Sequence, residues 1–141
     1  MILIQNETSF EFNDTIIQKI AKKYSEKDIE LLIIDSLHMK KLNKNSRGVD
    51  ATTDVLSFPL ESMPHTPLGS IVINSDKVIK VAKEFSHTAD EEIALLFIHG
   101  ILHLLGYDHE RDSGEMREKE EEIIKQFSLP KSLIVRTRER V

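Results

Sequence analysis

The sequence predicts an α+β fold in a single domain, with a small mixed four-stranded sheet packed around a central apolar helix. Three observations predict it. The 141 residues suffice for one domain with a real core, and no linker, repeat or low-complexity tract divides them. Strand-like and helix-like segments are interspersed without a regular strand–helix–strand alternation. One segment, DEEIALLFIHGILHLL at 90–105, is apolar almost all the way round, which places it in the centre of the molecule.

The elements follow in order. Residues 2–8 read as a strand. Residues 14–25 read as a helix, because Ile16, Ile17, Ile20, Ala21 and Tyr24 share one face. ELLIID at 30–35 is a buried strand. Ser36 can cap a short helix that carries Leu37, Met39, Lys40, Lys41 and Leu42. TDVLSFP at 53–59 is a strand stopped by Pro59, and ESMPHTP at 61–67 is a loop. GSIVIN at 69–74 is the next strand. SDKVIKVAKEF at 75–85 is an amphipathic helix with Val78, Val81, Ala82 and Phe85 inward. The central helix of 90–105 takes Asp90 as its cap and ends at Gly106. Residues 112–127 form a last amphipathic helix through Met116, Ile123, Ile124 and Phe127, with EMREKEEEII as its solvated face. The domain spans 1–141, its tail from 130 to 141 open to disorder.

Composition narrows the function classes. The hydrophobic fraction of 40% and charged fraction of 30% belong to an ordinary globular protein. The chain has no cysteine, which excludes disulfides and thiolate metal sites and is compatible with a reducing compartment. MILIQNETSF lacks the basic start and apolar run of a signal peptide, and no apolar stretch is long enough for a membrane span, so a cytoplasmic protein is expected. The net charge of −5 argues against a general nucleic-acid binder without excluding a local basic patch.

The densest chemistry lies in HGILHLLGYDH, 99–109, which holds three of the six histidines. His99 and His103 are four apart on a helix, so their imidazoles project from one face, one turn apart. Gly106 lets the chain turn back, and His109 follows on the returning loop. Three neutral imidazoles converging this way make a zinc site with an open fourth position, where the metal lowers the pKa of a water towards about 7. Burying them without partners would cost on the order of 1–3 kcal/mol each, which disfavours a purely structural reading. The spacing H-x-x-x-H-x-x-G-x-x-H is also that of metzincin peptidases, but those carry Glu directly after the first histidine and this chain has Gly100. His38, His65 and His87 have no such partners in sequence and read as surface residues.

HGILHLLGYDH resembles the signature H-G-x-L-H-L-x-G-Y-D-H of the YbeY family (UPF0054) of bacterial rRNA maturation factors, which are metal-dependent endoribonucleases. LNKNSRGVDATTDVLSFP at 42–59 is similar to the family's L-N-x-x-x-R segment followed by T-D-V-L-S-F-P, and PLGSIVI to its L-G-D-I-x-I. The resemblance implies one zinc on His99, His103 and His109, single-stranded RNA as substrate, and a role with the small ribosomal subunit in 16S rRNA 3′-end maturation and ribosome quality control. Neither DNA nor a membrane is expected as a partner. One position departs: the family usually has Asp where this chain has Ser70, which puts in doubt any base or hydrogen-bond acceptor supplied from there, a place that Asp54 could take.

RNA cleavage asks for charge neutralisation at the phosphate, and a guanidinium clamps a phosphate in two places. Arg47, in KKLNKNSRG, is the candidate catalytic and RNA-binding residue, with Lys41 and Lys44 as backbone contacts. Without a metzincin glutamate, the nucleophilic step falls to water at the metal or to the RNA 2′-hydroxyl. Asp108, beside His109, either accepts the second N–H of a ligand histidine or only shapes the turn. The arginines of RTRER, 136–140, are candidates for contact with RNA or a ribosomal protein, although terminal charge runs usually make neither. Two other functions stay open on this reading: a metzincin-like zinc peptidase, and a non-enzymatic ribosome assembly factor in which zinc only staples the central helix to its loop.

Overall fold

A computed structural model describes residues 1–139; Arg140 lies outside the described residues, as does the side chain of Arg138. The elements run β1 (Ile2–Asn6), α1 (Thr15–Tyr24), β2 (Ile29–Ile34), α2 (Ser36–Arg47), β3 (Val55–Pro59), β4 (Gly69–Asn74), α3 (Ser75–Glu84), α4 (Ala89–Leu104), α5 (Glu115–Gln126) and α6 (Lys131–Glu139). The sheet order is β1-β2-β4-β3. β1, β2 and β4 are parallel, and β3 runs antiparallel to β4, so the sheet is mixed and four-stranded as predicted. β3 is an edge strand and ends at Pro59, where a missing N–H costs no ladder bond.

Side-chain alternation divides the sheet into two faces. Ile29, Leu31 and Ile33 of β2, Ile71 and Ile73 of β4 and Val55 of β3 join the main core with α1, α3, α4 and α5. The alternate residues Leu32, Ile34, Leu56, Phe58 and Val72 form a smaller cluster under Met39 and Leu42 of α2. α4 runs through the main core: Leu95, Leu96, Phe97 and Ile98 are fully buried, each worth about 1.5–3 kcal/mol. That burial on every side is why an all-round apolar helix, and not an amphipathic one, occupies this position.

Several boundaries differ from the sequence reading: β1 stops at Asn6, Asp35 and not Ser36 caps α2, β3 starts at Val55 and α5 at Glu115. α4 starts at Ala89 with Thr88 as its cap: Thr88 Oγ1 accepts the Glu91 N–H and the Glu91 side chain accepts the Thr88 N–H, a capping box. Asp90 falls in the first turn, where its carboxylate accepts the Asn13 N–H. α2 continues past Leu42 to Arg47, because Asn43 is buried and donates to the Ala51 carbonyl at 2.9 Å, and Gly48 closes the helix at φ +72°. The tail left open to disorder forms α6 through its described part, held by the fully buried Leu133 and by Arg136, which is buried in ion pairs.

Candidate metal centre

The end of α4 and the turn after it bring the three histidines together. Gly106 adopts φ +103°, a conformation that side-chain-bearing residues rarely take. Its N–H bonds to the His103 carbonyl at 3.0 Å and the Tyr107 N–H to the Leu102 carbonyl at 3.0 Å, a Schellman closure that reverses the chain. His109 then faces the helix. Ring centroids lie 4.7 Å apart for His99–His103 and 5.3 Å apart for each of their pairs with His109.

The hydrogen bonds fix which ring nitrogens face inward. The Nδ1–H of His103 donates to the Tyr107 carbonyl at 3.1 Å, and the Nδ1–H of His99 donates to the Glu120 carboxylate at 2.6 Å. A carbonyl and a carboxylate only accept, so in the neutral, metal-binding form of both rings the Nε2 lone pairs point inward. They face one another across 3.1 Å. Two lone pairs at that distance repel unless a cation lies between them. Ligands at about 2.0–2.1 Å from a tetrahedral zinc sit about 3.3 Å apart, close to this spacing. One ligand nitrogen from each of His99, His103 and His109 falls within 4.8 Å of the others. Burial, reinforced by the neighbouring His99 and His109 rings, pushes His103 down to about 4 and keeps it in the neutral form that binds metal. The donor set therefore fits a zinc ion.

The histidines form one wall of a pocket of about 780 Å³ that Arg47, Asp54, Ser57 and Arg136 also line. Arg47 is the last residue of α2 and reaches the pocket from the helix end. Lys41 and Lys44 sit further up the same helix, exposed, and do not line it. Gly100, at the position of the metzincin glutamate, faces β4: a Cβ there would lie 2.9–3.1 Å from the Ile71 side chain. A glutamate at this position would collide with the sheet and could not serve the pocket.

Several sequence expectations change. Asp108 takes the turn role: its Oδ1 accepts the Glu110 N–H at 3.1 Å and its Oδ2 lies 3.5 Å from Arg111. The carboxylate against a ligand histidine is Glu120, on the helix face read as solvated. Glu120 is buried because it falls in line with Met116, Ile123 and Ile124, and a lone glutamate in an apolar stripe was the available signal. Ser70 projects to the α2 side of the sheet, away from α4, and donates to Glu30 at 3.1 Å. The departure at Ser70 thus removes nothing from the histidine pocket.

His87, expected at the surface, has a side chain only 1% exposed; its Nε2 lies 2.9 Å from Glu92 and its Nδ1 3.3 Å from Ser132. His38 is exposed beside Asp35, and His65 is exposed. Arg136, expected as a tail contact, instead bridges Asp54 at 3.0 Å and Glu92 at 3.2 Å. Burial pushes the Glu92 carboxyl up, opposed by the Arg136 guanidinium and His87.

Fold and site together define a class: a small α+β protein whose central helix and following turn present three imidazoles to an open polar pocket. Residues 3–128 match the family model described as Endoribonuclease YbeY, and the chain belongs to that family. It is 54% identical to the protein named Endoribonuclease YbeY of a Nitratiruptor species, across 99% of this chain and 97% of that one. It is 57% identical to the protein of the same name from Nautilia profundicola, across 96% and 98% of the two chains. A solution structure from Thermotoga maritima superposes with a TM-score of 0.62 at 31% identity, covering 98% of this chain and 92% of that one. The span matched by the family model ends before α6.

Proposed function

We propose that this chain is a zinc-dependent endoribonuclease that cuts single-stranded RNA, with one zinc per chain on His99, His103 and His109. The observation that carries the reading is the pair of inward Nε2 lone pairs, each fixed by a bond at Nδ1, beside a guanidinium in the same pocket. A zinc ion bound there would supply Lewis-acid polarisation of a phosphoryl oxygen. Glu120 and the Tyr107 carbonyl orient the rings and fix their tautomers. Arg47, in the lining of the pocket, clamps the non-bridging oxygens of the scissile phosphate and offsets the charge that builds there. Lys44 and Lys41, at three-residue steps up α2, extend positive charge along the RNA backbone.

Membership in the family supports RNA as the substrate. It also supports a place in 16S rRNA 3′-end maturation and ribosome quality control, acting on the small ribosomal subunit in the cytoplasm. No helix among the described residues is long and apolar enough to cross a membrane. The collision awaiting any side chain at Gly100 disfavours the peptidase alternative. A purely structural zinc would ordinarily have four protein ligands, which disfavours the non-enzymatic one.

Metal analysis paired with cleavage assays tests the proposal. The purified protein should carry about one zinc per chain. It should cut single-stranded RNA, lose that activity to a chelator, regain it with zinc, and leave casein intact. RNA cleavage indifferent to the chelator, or robust casein hydrolysis, would overturn it.

A further inference from the structure

Asp54 and Arg136, in the lining of the same pocket, belong to a charged network. Asp54, at the entry to β3, has its backbone anchored: its carbonyl accepts the Asn74 N–H at 2.9 Å. The Asn74 side chain in turn donates to Thr52 Oγ1 and to the Thr53 carbonyl. The Asp54 side chain is held by Arg136 of α6, whose second anchor is the fully buried Glu92 of α4. Glu92 is held by His87, and Phe85 lies under the guanidinium with its ring centroid 5.8 Å away. Arg136 Nε is buried with no partner among the described residues.

These charges suit a positioning role better than phosphate binding. Two carboxylates on one guanidinium leave Arg136 with no surplus positive charge for an anion. A carboxylate lining a site for an anionic substrate is unfavourable unless it accepts a proton or a hydroxyl there. Asp54 lines the pocket with a side chain 19% exposed, while Arg136 is 10% exposed and Glu92 not at all. The exposed member of the network is thus the one that substrate can reach.

We propose that Asp54 accepts the proton of the attacking hydroxyl in RNA cleavage and that Arg136 is the positioning residue that aims it, which makes α6 a part of the active site. This rests on the ribonuclease reading above. The O–H bond of the attacking group breaks and its proton passes to the carboxylate. The oxygen bonds to phosphorus as the bond from phosphorus to the leaving oxygen breaks, and that oxygen takes a proton from solvent. Arg47 offsets the charge on the phosphate while Arg136 offsets the charge on Asp54, so Arg47 and Arg136 have separate tasks.

The test is single-turnover cleavage of a single-stranded RNA oligonucleotide by the zinc-loaded protein across pH. The proteins are wild type, Asp54→Asn, Arg136→Lys and the double variant. Zinc content, melting temperature and binding of the oligonucleotide to the zinc-free protein are measured beside it. Asp54→Asn should lower the cleavage rate by about 10²–10⁴-fold, the range for a positioned acid–base group, and abolish the acid limb of the pH–rate profile. Zinc content and the RNA affinity of the zinc-free protein should hold. Arg136→Lys keeps the charge and loses the fork; it should slow cleavage and move the acid limb in wild type, yet add nothing in the Asp54→Asn background. Normal cleavage by Asp54→Asn, or equal losses from Arg136→Lys in both backgrounds, would overturn the inference while leaving the ribonuclease reading intact. A wild-type protein that cuts no RNA would overturn both.

Discussion

His99, His103 and His109 come from eleven consecutive residues, whereas Asp54, Glu92 and Arg136 come from the entry of β3, from α4 and from α6. The bonded pair Asp54–Arg136 is 82 residues apart in the chain. The three histidines, Asp54 and Arg136 line one pocket, with Glu92 buried behind Arg136, but different physics holds the two sets. The histidines are placed by helix pitch and one Schellman turn, which the local sequence specifies, and tertiary packing adds Glu120. The charged wall exists only when β3, α4 and α6 have docked, and breaking one buried pair there leaves an uncompensated charge, at a cost of about 3–5 kcal/mol. A local site tolerates distant change, while an assembled one registers the state of the whole fold.

The largest expected effect comes from breaking the local site. His103→Ala leaves two protein ligands, so zinc binding should fall below detection by metal analysis and RNA cleavage should disappear. The rise in melting temperature on adding zinc should vanish with it, because that gain is binding free energy. Retention of one zinc per chain in this variant would refute the assigned ligands.

Next in size is Arg47→Ala, which removes a group from the pocket lining without touching a metal ligand. Cleavage should fall by about 10²-fold, the scale for one preorganised donor, with zinc content and melting temperature unchanged. Arg47→Lys should restore part of the rate, since an ammonium keeps the charge but not the two-point grip. Kinetics together with calorimetry decide this; an unaltered rate would reduce Arg47 to a solvated helix end.

Glu120→Gln sharpens the comparison, because Glu120 is the support that tertiary packing lends to the local site. Losing the carboxylate behind His99 should weaken zinc affinity by about 10–100-fold, read by competition with a chelator of known affinity. An unchanged affinity would mean that the helix alone orients His99.

The smallest effect is in pH. His103 sits at about 4 in the folded chain against its ordinary value of 6.5, so the unfolded chain takes up a proton that the folded one resists. Its contribution is complete above about 6.5 and is lost as pH falls towards about 4. Denaturant melts of the metal-free protein should show stability declining across that window, and His103→Asn should flatten the decline. No difference between the two proteins would assign the acid sensitivity to other groups.

Much of this was legible in the sequence because it is periodic or local. An all-round apolar run can only be a core helix, and imidazoles four apart on a helix must share a face, so α4, Gly106 and the three histidines followed from spacing. The small sheet followed from strand-like segments interspersed with helical ones without regular alternation. Tertiary structure decided the rest. It buried Glu92 and His87, which read as surface groups in the sequence, and it set Glu120 against His99, where the apolar stripe of α5 hinted only at its burial. It turned Ser70 away from the pocket, because neighbouring strand residues point to opposite faces. It drew Arg136 from the tail to a carboxylate 82 residues away. Charged side chains carry no periodic signature of their own partners; Coulomb attraction acts through space, and only the folded chain specifies which charges lie within reach of each other.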